Sequence, residues 1–168
     1  MARNATVSLL SIWKDKSVLQ KTKVQLLWSL VFPIAVYGCE AWAMKEADRK
    51  RIEAFELWAY RRLLRIKWTE MKSNKYVLEK IKPNCRLLQH VDRLKLRYFG
   101  HVVRAKGMEY DILTGAMNGK RRRGRQRTRI TDGVVQLTGL PLIGAVRRAM
   151  DRQCWRRIVH DATASRTS

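Results

Sequence analysis

Acidic side chains are scarce in this sequence: 14 aspartates and glutamates stand against 36 lysines and arginines, a formal charge of +22 over 168 residues. A chain so unbalanced repels itself unless a polyanion screens it, so its natural partners are nucleic acid or an anionic membrane. No two aspartates adjoin, which leaves the two-metal chemistry of polymerases and nucleases without evident ligands. Cysteines number three, Cys39, Cys85 and Cys154, an odd and scattered set that makes no disulfide framework and suits a reducing compartment. The N-terminus has Arg3 and a broken apolar patch before Lys14, too weak for a secretory signal. Long apolar runs are missing too. The uncharged stretch Val24 to Cys39 holds 16 residues, with Gln25, Ser29 and Pro33 inside it, whereas a membrane span wants about 20. A core helix is the expected reading, and a membrane is the disfavoured partner.

Enzymatic signatures fail in the same way. Gly115-x3-Gly119-Lys120 is one residue short of a phosphate-binding loop and runs into arginines rather than Ser or Thr. Neither Ser-His-Asp nor Cys-His catalysis has a supporting pattern. Cys85-x4-His90 and Cys154-x5-His160 lack the tight pairing of a zinc knuckle. The expectation is therefore no catalytic residue, no metal and no cofactor.

What is present is helical periodicity and arginine. Strand-like alternation is nowhere sustained, and the fold class expected is mainly α, an irregular helical bundle with a disordered arginine-rich loop. Val24, Leu27, Trp28, Val31, Ile34 and Ala35 form one apolar stripe, with a kink or break at Pro33 and an end near Gly38. A second helix starts near Glu46 and turns Ile52, Phe55, Ala59, Leu63 and Ile66 inward, with Arg51, Arg61, Arg62 and Arg65 on its charged other face and Glu53 and Glu56 toward the N-terminal half. Ser73 or Asn74 caps a short helix ending before Pro83. A long helix follows, with Leu87, Val91, Leu94, Tyr98 and Val102 inward and Arg86, Arg93, Lys95, Arg97 and Arg104 outward. Gly100 inside it predicts close packing or a bend, and Gly107 is its expected end. A last helix places Ile143, Val146, Met150 and Ile158 inward, and the tail from Ala162 is expected to be disordered.

Two surfaces are candidates for nucleic acid. From Gly119 to Arg129 seven of eleven residues are basic, namely Lys120, Arg121, Arg122, Arg123, Arg125, Arg127 and Arg129. Such a run neutralises phosphates without reading sequence, and it also serves as a solvated tail or a nuclear localisation signal. Arginines outnumber lysines 22 to 14, which favours forked, stacking contacts. The second surface is the helix face of Arg93, Arg97, His101 and Arg104, where Tyr98 or His101 could stack on a base. The tryptophans are expected in core or interface positions.

Five blocks in order resemble a known family: Tyr37 to Trp42, Ile52 to Leu64, Leu96 to Arg104, Gly119 to Asp132 and Asp151 to Arg156. Together they are similar to the C-terminal region of non-LTR retrotransposon endonuclease-reverse transcriptases, nearest the RTE and BovB-like group, from about Ala5 to His160. Gln126 and Ile130 stand where the family has proline and tryptophan. The resemblance implies a thumb and downstream segment without the catalytic palm, gripping template RNA or primer or target DNA beside a polymerase of the same polyprotein. It suggests a lead-in at 1–17, a thumb-like helical region at 18–82, a Gly-His helix region at 83–114, a basic flexible loop at 115–133 and a C-terminal helix and tail at 134–168. Expected residence is a nuclear or cytoplasmic ribonucleoprotein. The rival readings are a basic amphipathic membrane or scaffold protein, or a retroelement relic without function.

Overall fold

The computed structural model describes residues 1–114 and 128–164, and among them every regular element is helical. The mainly α expectation holds. Two compact units form: Met1–Tyr37 with Ala47–Leu88, and Gly38–Glu46 with the described residues from Gln89 onward.

In the first unit α1 (Ala2–Ser8) and α2 (Leu10–Lys14) bring Trp13 inside, where its indole N–H donates to the Thr6 carbonyl at 2.9 Å. The uncharged stretch becomes α3 (Gln20–Leu26), a π-helical turn at Leu27–Val31 and α4 (Phe32–Ala35). Proline at 33 lacks an N–H, and a widened turn just before it lets the chain continue where an α-helix would lose a bond. The extra residue also moves the buried stripe. Leu27, Val31, Phe32 and Val36 are inside while Ile34 is 46% exposed, so the inward placement of Ile34 is corrected. The segment ends where expected, at Gly38 with φ +67°.

The next helix, α5 (Glu46–Leu64), buries Leu57, Ala59, Tyr60 and Leu63, with Phe32 edge-on to both Phe55 and Tyr60. Glu56 is a second correction. Read as part of the charged face, it is fully buried, because its carboxylate accepts from the Arg86 side chain at 2.8 Å and from the Leu87 N–H at 3.1 Å. Burial outweighs these partners and raises its pKa above the ordinary 4.5. The helix closes with Arg65 left-handed at φ 59°, while the Ile66 N–H returns to Arg61 and that of Arg65 to Arg62. After a 3-10 turn at Trp68–Glu70, Ser73 caps α6 (Asn74–Ile81) by accepting from the Tyr76 N–H.

The second unit is built on α7 (Leu87–Ala105), whose first two residues belong to the first. Val91, Leu96, Phe99, Val102 and Val103 are buried, with Leu94 and Tyr98 only partly so. Lys95, expected outward, is 4% exposed and donates to the Trp42 carbonyl, which is why its ammonium can lie inside. The left-handed Lys106 rather than Gly107 ends α7, and α8 (Met108–Thr114) follows. Residues Ile130–Gly133, read as the end of the basic loop, instead open α9 (Ile130–Thr138). Asp132 secures that start by accepting from the Arg129 N–H at 2.7 Å. The expected single last helix is two, α10 (Leu142–Met150) and α11 (Arg152–Ala164), divided at an extended Asp151. The Asp151 carboxylate accepts from the N–H groups of Gln153 and Cys154 and so caps α11. This break shifts the register: Ala145, Ala149, Trp155 and Val159 are buried, whereas Ile143 is 70% and Met150 40% exposed. Ala162–Ala164 are helical rather than part of a loose tail.

Candidate nucleic-acid interface

Gly100 determines how the second unit's cleft is made. A Cβ there would fall within the van der Waals radius of the Trp155 indole, so the bare backbone of α7 lets the ring of α11 lie directly against it. Trp155 is then fixed twice, by its N–H donating to the Leu96 carbonyl at 2.8 Å and by Phe99 with ring centroids 5.5 Å apart. Close packing at Gly100, expected from sequence, is what the structure contains.

Above this seam the exposed flanks of α7 and α11 line a cleft of about 970 Å³. From α7 come Arg93, Arg97, Tyr98, His101 and Arg104, so the predicted helix-face residues all reach one site. Their partners on α11 are Arg152, Arg156 and His160. Periodicity turns Arg152 and Arg156 outward on the last helix without assigning them to a site. A signal was available, since Arg-x3-Arg-x3-His occurs twice, as Arg93, Arg97, His101 and as Arg152, Arg156, His160. At 3.6 residues per turn that spacing puts each set on one helical stripe.

Among the described residues the cleft is lined by five arginines, two histidines and one acid, Glu40. Arg104 is already engaged, with one N–H donating to the Ala149 carbonyl at 2.7 Å, where it satisfies an end group of α10. His160 lies 3.3 Å from the Asp161 carboxylate through Nδ1. On the same helix as the first stripe, burial and then Arg93 and Arg97 lower the pKa of His90, which shows the sign of the local field. Tyr98 is half-buried and presents an aromatic surface beside the cations.

Of the arginine run, Lys120, Arg121, Arg122, Arg123, Arg125 and Arg127 lie outside the described residues, while Arg129 is exposed at the start of α9. Trp13 and Trp155 are core as expected, but Trp68 is 85% exposed. Among the described residues no helix is long and apolar enough to cross a membrane.

Comparison with known proteins gives this geometry a lineage. The chain is similar to a transposon-derived protein. That relative, a putative uncharacterized transposon-derived protein of Caenorhabditis elegans, is 31% identical over 121 residues, covering 68% of this chain and 43% of its own length. The chain thus spans less than half of the relative it matches. No family model matches, and no solved structure does.

Proposed function

We propose that the α7–α11 cleft binds the phosphate backbone of RNA or DNA, and that the chain is the nucleic-acid grip of a non-LTR retrotransposon reverse transcriptase lineage, without chemistry of its own. The observation that carries the reading is the meeting of two Arg-x3-Arg-x3-His stripes in one cleft with a single acid among the described residues. Forked guanidiniums on two stripes of one cleft suit the phosphates of a strand, and Tyr98 or His101 offers a stacking surface. The transposon-derived relative and the five ordered sequence blocks support the retroelement assignment. Lys120 to Arg129 would add counterion release as a second, sequence-independent contact. The partners in this reading are nucleic acid and a retroelement polymerase, within a nuclear or cytoplasmic ribonucleoprotein.

Electrophoretic shifts with a structured RNA across about 50 to 200 mM salt test the cleft. Affinity should fall steeply with salt, and replacing Arg93, Arg97 and Arg156 with glutamine should flatten the log–log slope by about 2 to 3. Binding that ignores salt, or a slope unchanged by the three substitutions, refutes the proposal. Flotation with anionic liposomes but no RNA shift would favour a membrane role instead.

A further inference from the structure

We propose that the first unit carries a second, independent site that takes single-stranded nucleic acid by stacking an unpaired base on Trp68 beside Arg65 and Lys67. It uses none of the α7–α11 residues. A cleft of about 940 Å³ opens between α2, the end of α5 and the connector to α6, and its basic lining includes Lys14, Arg62, Arg65, Lys67 and Lys72. Among the described residues no acidic side chain lines it. The neighbouring carboxylate of Glu70 is taken up by the Lys67 N–H at 2.8 Å.

Trp68 lies in this cationic setting with 85% of its surface exposed, yet its turn is held in place. Besides the Glu70 bond, Arg61 donates to the Lys72 carbonyl at 3.1 Å and to the Asn74 side-chain oxygen at 2.7 Å, closing the connector onto α5. A large apolar ring on a pinned turn loses little further freedom on binding, which favours stacking. The pattern is also present one turn inward, where the guanidiniums of Arg3 and Arg62 each lie 5.5 Å from the Trp58 ring. Arg65 occupies the left-handed position after α5 that glycine fills at least strain, as Lys82 and Lys106 do after their helices.

These features select among polyanions. A duplex keeps its bases stacked and offers none to Trp68, and a bilayer surface does not enter a concave cleft walled by lysine and arginine. A flexible single strand can do both, with phosphates on the walls and a base on the ring.

The test uses the full chain and a fluorescein-labelled oligouridylate of about 12 nucleotides, read by anisotropy. Trp68→Ala should weaken binding about 5- to 150-fold, the range expected for one stacked base, while Trp68→Phe keeps most of the affinity. Arg65→Gly should weaken binding and at the same time raise the unfolding midpoint, which separates loss of the site from loss of the fold. The Trp68 effect should persist when Arg97 and Arg156 are glutamine, so failure of the cleft in the second unit would not imitate failure here. An affinity unchanged by Trp68→Ala, an equal loss on a duplex of the same length, or a Trp68-dependent response to phosphatidylserine vesicles without one to oligouridylate each overturns the proposal.

Discussion

Gly100→Ala places two effects of opposite sign at one residue. In a helix interior alanine is favoured over glycine by about 1 kcal/mol, and on that ground alone the variant would be more stable. Against it stands the Trp155 indole, which the new Cβ would overlap. The ring is 3% exposed and is held by Phe99 and by the Leu96 carbonyl, so it has nowhere to rotate without cost. Overpacking of this kind costs about 1 to 3 kcal/mol. Displacing the ring far enough to break its N–H bond leaves a buried donor unpaired, for about 1 to 3 kcal/mol more. The packing terms outweigh the propensity, and a net loss of about 3 kcal/mol is expected from urea unfolding followed by far-UV circular dichroism. In a Trp155→Leu background the obstacle is gone and the sign should reverse, with Gly100→Ala now stabilising by up to about 1 kcal/mol. A wild-type background in which Gly100→Ala stabilises, or a double mutant in which the two effects simply add, refutes the account of the seam.

Other perturbations probe separate parts of the chain. Glu56→Ala removes the carboxylate from Arg86 and the Leu87 N–H, and a loss of about 3 kcal/mol or more is expected by chemical denaturation. Because burial raises the Glu56 pKa above 4.5, its contribution is fully present below that value and fades as pH rises through the folded pKa. The stability difference between wild type and Glu56→Gln should therefore shift against the wild type from acid toward neutral pH. His90 behaves oppositely: its folded pKa lies below 6.5, so its contribution is present above 6.5 and is lost on acidification, a dependence that His90→Gln should remove. Asp151→Ala takes the cap from α11 and should cost about 1 kcal/mol, seen as a lowered thermal midpoint. Cys39 is buried and its thiol is raised to about 11, so iodoacetamide at neutral pH should modify Cys85 and Cys154 well before Cys39 in the native protein, as mass spectrometry would resolve.

Features legible in the sequence were those set by local chemistry. Gly38 closes its segment and Ser73 caps α6, because each needs only its own backbone or a neighbour within a few residues, and a glycine inside a helical pattern is itself the mark of a close approach at Gly100, although not of the distant Trp155 that makes it. What escaped depended on distant partners. Glu56 is buried because Arg86, 30 positions on, meets it, and Lys95 because a carbonyl 53 positions back accepts its ammonium. Their charge alone assigns both to solvent, although the 3.6-residue spacing sets Glu56 with Ile52, Ala59 and Leu63 and Lys95 with Val91, Tyr98 and Val102. Asp151 was passed over as part of one long helix although aspartate followed by a helical run is a capping signal. In the candidate interface the α7 and α11 stripes share one charge spacing that the sequence shows, whereas their meeting in one cleft depends on the packing of the two helices.

The widened turn at Leu27–Val31 affects residues beyond its own five. A helix advances about 100° per residue, so one surplus residue in a turn is a slip of phase that every later residue inherits. Phe32 and Val36 face the interior, and Ile34 faces water, because of a count made upstream of them. For copies of this sequence that accumulate small insertions and deletions, loss of a single residue within that turn would restore ordinary helical winding there, at the cost of the bond that Pro33 cannot make. The damage would emerge a turn later, as an apolar face pointed the wrong way.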